Sequence, residues 1–235
     1  IFMKRLERLK LQIKNQNVKK INNTKVLVIG LGGVGGYAIE SLARSGVGTL
    51  IIVDNDLIDI TNLNRQIISL DSNIGSKKTD VCANRIKDIN PNINVIKIDK
   101  FITSSNIDEL FEEKPDYIID ACDTIDTKKE LIRQSIKRNI KIISSMGTGN
   151  KLDPTKLEIT DIRKTVNDPL ARIFRKWVKD NKINDKILVL SSREVPIKTG
   201  NVVASNSFVP NSAGLLITSY IINDIILNKM FMKGE

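Results

Sequence analysis

The segment Lys25-Val-Leu-Val-Ile29, running straight into Gly30-Leu-Gly-Gly-Val-Gly35, constrains this chain more than any other. A short apolar run that ends in glycines is how a strand buried on both faces reads. The residues that follow, Val34–Ser45, carry apolar side chains at helical spacing. Strand, glycine turn and helix in that order make a phosphate cradle. The glycines let backbone N–H groups approach the oxygens, and the helix N-terminus favours their charge. Gly30, Gly32, Gly33 and Gly35 are therefore expected at a nucleotide. A second apolar run, Thr49–Val53, ends at Asp54, nineteen residues beyond Gly35, where a carboxylate can meet ribose hydroxyls. To this point NAD, FAD and ATP fit equally well.

The alternation continues down the chain. Helices are expected over Ser76–Ile89, Ser104–Glu113 and Asp126–Arg138, and strands over Asn94–Ile98, Tyr117–Ala121 and Lys141–Ser145. Right-handed crossovers between such strands give an α/β fold, a Rossmann-like doubly wound and mostly parallel sheet. After Gly147 the pattern changes. Leu157–Ile162, Ile187–Ser192 and Val202–Phe208 read as strands with one helix, Pro169–Asp180, among them, which suggests a C-terminal antiparallel extension. A last helix, Ser212–Asn228, packs back on the sheet. No linker or repeat interrupts the chain, so 1–235 is expected to be one domain. Within it lie an N-terminal helical arm (1–24), a nucleotide-binding core (25–150) and the extension with its helix (151–235).

Composition removes several chemistries. Among 235 residues there is no histidine, which excludes an imidazole base, nucleophile or metal ligand. Cys82 and Cys122 are too few for a thiolate zinc site or a disulfide framework, and fit a reducing cytoplasm. Both are expected to be packing residues rather than nucleophiles. The N-terminus is charged and lacks a sustained apolar core, so no signal peptide is expected. Ala213–Leu227 is too short and too often interrupted by polar residues to span a membrane. The net charge of +10 is localised: residues 1–25 hold eight basic side chains against one acidic, and residues 151–200 twelve against seven. Localised basic surface points to a polyanion, nucleic acid first, with simple solubility as the other reading.

The residues after Asp54 separate the nucleotides. Thr61-Asn62-Leu-Asn64-Arg65-Gln66, Gly75-Ser-Lys77-Lys78 and Asp120-Ala-Cys-Asp123 bring Arg, Lys and Asp toward phosphates. Hydride transfer gains little from that set, whereas breaking a phosphoanhydride gains much. Arg65 and Lys78 can neutralise charge on the α-phosphate and departing pyrophosphate, and Asp123 can hold Mg²⁺. Asn62 has a second reading as a helix cap, Arg65 as a surface ion pair, and Asp120 as a loop-orienting group.

This set of separated motifs, in this order over about residues 25–150, resembles the ATP-binding core of the ubiquitin-activating enzyme superfamily and its ThiF- and MoeB-like bacterial branch. The resemblance implies ATP binding by Gly33, Asp54, Asn62, Arg65 and Lys78, with the metal on Asp123. It also implies a homodimer in which an N-terminal arginine, Arg8 or secondly Arg5, reaches the partner's site. Two features depart from the sulfur-carrier and ubiquitin branches: there are no paired C-x-x-C motifs and no separate cysteine domain.

Ala43-Arg-Ser-Gly-Val-Gly48, Ile89-Asn-Pro91, Asp153-Pro154, Thr160-Asp-Ile162, Lys164-Thr165 and Asp168-Pro-Leu-Ala171 narrow the resemblance. Together they are similar to the tRNA threonylcarbamoyladenosine dehydratases, through about residue 175 and again at Val209-Pro210 and Ala213-Gly214. That resemblance implies ATP-dependent adenylation of the threonyl carboxylate of N6-threonylcarbamoyladenosine beside the anticodon. A substrate nitrogen then closes a ring and expels AMP, a net dehydration needing no enzyme thioester. The expected partner is tRNA, held by Arg163, Lys164, Arg172, Arg175, Lys176 and Lys179, with Phe174 and Trp177 in the core. Open at this point are a sulfur-transfer protein partner and a monovalent cation supporting the loop Gly147–Gly149. The alternatives are an adenylyltransferase acting on the C-terminal glycine of a sulfur-carrier protein, and an NAD-dependent oxidoreductase or nucleotide-sensing protein.

Overall fold

The structure, a computed structural model, describes residues 5–227. The basic arm forms two helices, α1 (Glu7–Ile13) and α2 (Asn15–Asn22), separated at Lys14, whose φ of 68° interrupts the helical run. Residues 1–4 of the expected arm, and residues 228–235 of the expected extension with Asn228 of its last helix, lie outside the described residues. Leu6, Val18 and Ile21 are buried and fasten the arm to the body.

The core then alternates as its apolar runs require: β1 (Lys25–Ile29), α3 (Gly33–Ser45), β2 (Thr49–Val53), α4 (Lys78–Ile89) and β3 (Asn94–Ile98). It continues with α5 (Glu109–Glu112), β4 (Tyr117–Asp120), α6 (Ile125–Arg138) and β5 (Lys141–Ser145). Beyond it lie β6 (Leu157–Asp161), α7 (Pro169–Asp180), β7 (Leu188–Ser192) and α8 (Val209–Leu227). Among the described residues the strands form one seven-stranded sheet in the order β3-β2-β1-β4-β5-β7-β6. Every pairing is parallel except β6 with β7, which is the antiparallel extension at the edge.

Strand residues alternate between two cores, as the period of two demands. Val26, Val28, Leu50, Ile52 and Ile119 pack beneath α3 and α8. Leu27, Ile29, Ile51, Val53 and Ile118 face the other layer, with Leu110, Leu131 and Phe174. The strand order turns outward in both directions from β1 and β4, so a crevice opens beyond the C-terminal ends of these two strands. The glycine turn and the Asp120–Asp123 segment both emerge there.

Two expectations are corrected. The helix over Ser104–Glu113 shrinks to α5, because Asn106 ties up the backbone before it: Oδ1 accepts from Thr103 N at 2.8 Å and Nδ2 donates to Phe101 O at 3.0 Å. Val202–Phe208 is not a strand. Val202 and Val203 stand about three-quarters exposed instead of facing a core, and Ala204 bonds the side chain and backbone of Asn150 in place of a ladder. The other strand ends lie within one residue of the expected spans.

Candidate active site

Two glycines make the turn possible. Gly30 has φ 88°, and a Cβ there would come 2.5 Å from the carbonyl oxygen of Ala121, so side chains are shut out on both counts. A Cβ on Gly35 would lie 1.8 Å from Gly30 O; this glycine brings α3 against β1 from behind the turn. The first N–H groups of α3, at Gly33, Val34 and Gly35, have no partner within the helix, and Gly32 supplies no side-chain cap. Gly33 and Val34 line a cavity of about 620 Å³, a size suited to a nucleotide, whereas Gly35, expected at the nucleotide, packs behind the turn and does not line it. A more open hollow of about 760 Å³ lies at the other end of the sheet, between Lys20, Asp116 and Lys141, with no glycine turn.

The cavity brings together Gly30, Gly32, Gly33, Asp54, Asn62, Arg65, Lys78 and Asp123. Each is held differently. Asp54 braces the turn: Oδ2 accepts from Leu31 N at 2.6 Å and Oδ1 from Asp56 N at 2.8 Å. Lone pairs beyond those bonds remain for a ligand. Asn62 is buried and uses Oδ1 to accept from Asp59 N at 3.1 Å in a reciprocal cap, the second of its two readings, while it also lines the cavity.

Among the described residues Arg65 is in no ion pair. Its Nη1 donates to Thr61 O at 2.8 Å and Asn64 Oδ1 at 2.9 Å, both neutral acceptors, so its charge is uncompensated. Lys78, the first residue of α4, is buried and pairs with the exposed Asp56, Nζ to Oδ2 at 2.7 Å. Asp123 is exposed at the rim and makes no hydrogen bond or ion pair among the described residues.

Beneath Asp123 lies a buried network that sequence reasoning missed. Lys128 Nζ sits 3.0 Å from Asp120 Oδ2 and donates to Ser145 O at 2.8 Å. Asp120 Oδ1 in turn accepts from Cys122 N at 3.3 Å, which orients the loop carrying Asp123. Asp120 is thus the loop-orienting group. The available signal was a lysine in register with Leu131, Ile132 and Ser135 on the buried stripe of α6. Burial, with the Asp120 carboxylate beside it, pushes the Cys122 thiol well up, and burial pushes Cys82 up to about 12. Neither is poised as a thiolate.

Arg8 does not line this cavity. It stays exposed on α1 without a hydrogen bond or ion pair among the described residues, while Arg5 donates to Ile89 O at 3.0 Å. The sequence pattern of the ThiF family matches residues 6–175. The chain belongs to the ThiF family.

Within the ThiF family, the chain is 40% identical to the tRNA threonylcarbamoyladenosine dehydratase of Bacillus subtilis (strain 168), over 96% of both proteins. It is 39% identical to the enzyme of that name from Escherichia coli (strain K12), over 66% of this chain and 58% of that one. Among solved structures, the E. coli tRNA N6-threonylcarbamoyladenosine dehydratase TcdA in complex with ATP superposes with a TM-score of 0.92. That match is at 29% identity, over 98% of this chain and 97% of that one. The same protein in complex with AMP gives 0.91. The fold therefore has a structural counterpart in a protein whose structure was solved with ATP and with AMP.

Proposed function

We propose that this chain is an ATP-dependent tRNA threonylcarbamoyladenosine dehydratase. The observation that carries the reading is the meeting of Arg65, Lys78 and Asp123 with the glycine turn in one cavity. The relatives' names, at the identity and coverage given above, support the substrate. In the first step the threonyl carboxylate attacks the α-phosphate of ATP, giving an acyl-adenylate and pyrophosphate. A nitrogen of the modified base then closes the ring on the activated carbonyl and AMP leaves. Arg65 and Lys78 stabilise the charge that gathers on the α-phosphate and the leaving group. The N-terminus of α3 holds phosphate oxygens, and Asp54 positions the ribose.

Mg²⁺ fits these residues as it usually meets nucleotides, through one carboxylate and the phosphates themselves. Asp123, an oxygen donor without another partner among the described residues, would hold it. When bound, the ion supplies charge neutralisation on the departing pyrophosphate.

The basic face of α7 suits tRNA phosphates. Arg172, Lys176 and Lys179 stand at spacings of four and three, on one exposed face. Arg163 and Arg175 instead serve the fold: Arg163 pairs with Asp161 and Arg175 donates to Thr165 O at 2.9 Å. Phe174 and Trp177 are buried, ring centroids 5.9 Å apart. Arg8, exposed and without a partner among the described residues, supports a homodimer in which it enters the partner's ATP site, and a tRNA substrate suits a cytoplasmic enzyme.

The test is to mix the protein with ATP, Mg²⁺ and tRNA bearing the linear modification. Nucleoside mass analysis is expected to show loss of one water and release of AMP. No mass change from folded protein that binds ATP refutes the proposal; pyrophosphate exchange driven by a sulfur-carrier protein and indifferent to tRNA favours the carrier reading.

A further inference from the structure

We propose that the ammonium of Lys151 is the built-in cation of the loop that walls the nucleotide cavity, so that this chain takes no monovalent metal ion there. The inference rests on the cavity being a nucleotide site. After β5 the chain runs through Gly147, Thr148 and Gly149, and the last two line the cavity. Gly147 O accepts from Lys151 Nζ at 2.5 Å, and the same nitrogen stands 2.9 Å from Asp168 Oδ2. Both of these charged side chains are almost wholly buried, at 1% and 0% exposure. A carbonyl oxygen and a carboxylate oxygen around one buried positive centre are the oxygen donors that a hard cation would seek. Here a tethered ammonium takes both oxygens. A metal ion added between them would face a like charge at contact distance in a dry interior, where such repulsion is least screened.

The position of the ammonium gives it reach. Asp168 Oδ1 accepts from Ala171 N at 2.9 Å, which caps α7, the helix with the basic face. The carbonyl of Lys151 accepts from Asn206 Nδ2 at 2.7 Å, and Asn206 Oδ1 accepts from Val209 N at 2.9 Å at the start of α8. Removing the ammonium leaves a buried carboxylate without a counter-charge and Gly147 O without its donor. The wall of the cavity and the N-terminus of α7 then lose their common anchor. Lys151 is thus a positioning residue: it acts on bound nucleotide through Thr148 and Gly149.

The experiment measures the thermal midpoint and ATP affinity in potassium, sodium, methylammonium and tetramethylammonium chloride at one ionic strength. The wild-type protein is expected to give the same midpoint and affinity in all four. Lys151→Ala, which leaves room for a small cation, is expected to bind ATP about tenfold or more weakly in tetramethylammonium. It is expected to recover both midpoint and affinity in potassium or methylammonium, a rescue that a merely structural lysine would not give. If Lys151→Ala does not fold in any salt, Lys151→Gln takes its place, with an N–H donor toward Gly147 but no charge. The proposal is overturned by a wild-type midpoint that rises with potassium over tetramethylammonium. It is equally overturned by a folded variant indifferent to the cation. Wild-type protein that binds no ATP in any salt would instead sink the nucleotide reading, and the midpoint series would still decide the role of Lys151.

Discussion

Replacing Lys128 by methionine tests whether the buried network under the active site is held by charge. The side chains of Lys128 and Asp120 are 1% and 0% exposed, and the ammonium also donates to Ser145 O at 2.8 Å. Methionine fills similar space but strands the Asp120 carboxylate in the interior, with the Ser144 hydroxyl and Cys122 as its remaining donors. Breaking a buried pair from one side in this way costs about 3–5 kcal/mol. Adding Asp120→Asn removes the stranded charge, so the double variant is expected to regain roughly 2 kcal/mol or more relative to additivity. Urea unfolding followed by circular dichroism gives these differences directly, provided the slope with denaturant stays constant. Turnover follows the same geometry. Asp120 Oδ1 holds the Cys122 N–H, and through it the loop of Asp123, and an asparagine oxygen can accept the same bond, so the double variant is expected to recover turnover together with stability. A single variant that loses less than about 1 kcal/mol, or a double variant no more stable than the single, would refute the account of the network.

Four further outcomes follow from the same geometry. Arg65→Ala and Asp123→Ala remove groups at the cavity surface, so each is expected to abolish AMP formation, by about 10²-fold or more, while unfolding shifts by no more than about 0.5 kcal/mol. Near-normal turnover in either would overturn its assignment. Cys122→Ala is expected to keep dehydration of tRNA, and the wild-type enzyme to resist iodoacetamide at pH 8, because burial holds both thiols protonated; inactivation by the reagent would point to a thioester. Burial raises the Glu40 carboxyl, but the hydrogen bonds and charges of Arg85 and Arg44 outweigh it, and the net effect is downward from about 4.5. Its contribution to stability is therefore full above that pH and lost as pH falls through the depressed value. Glu40→Gln is expected to flatten this acid limb in a pH series of thermal midpoints, and an unchanged limb would exclude the pair. Arg172→Gln with Lys179→Gln is expected to weaken tRNA binding alike for all sequences and lower the salt slope by roughly one to two; equal slopes would return α7 to a solubility role.

The fold was legible because each parallel strand is a short apolar run with a sharp polar or glycine boundary. Such runs admit one reading when helices of the right length alternate with them. Legibility failed where side chains compete for the backbone. Nothing in the periodicity of Ser104–Glu113 reveals that Asn106 takes up two main-chain groups before the helix can form. Val202 and Val203 read as a strand because β-branched residues favour one, yet the backbone nearby is claimed by Asn150, some fifty residues earlier. The active site followed the same division. Residues that line the cavity beside the turn stand in recognisable motifs and were visible, whereas Lys128 and Lys151 act through partners on other elements. In a chain that is 27% charged, Lys128 carried one mark of burial, its register on the apolar stripe of α6, and Lys151 none.

Those two lysines bear on how the cavity presents its charge. Each neutralises one buried carboxylate, so the pairs Lys128–Asp120 and Lys151–Asp168 set positions without adding net field at the phosphates. The field comes from residues nearer the surface, and these are not equivalent. Lys78 must give up Asp56, held at 2.7 Å, before it can serve an anion, and its gain is net of that exchange. Arg65 gives up only the neutral oxygens of Thr61 and Asn64, so its whole charge is available. Asp56 and Asp123 both line the cavity. On the proposed reading, phosphates that drew Lys78 away would leave the Asp56 carboxylate without its counter-charge, as a second oxygen donor beside Asp123, whereas in the structure Lys78 neutralises it.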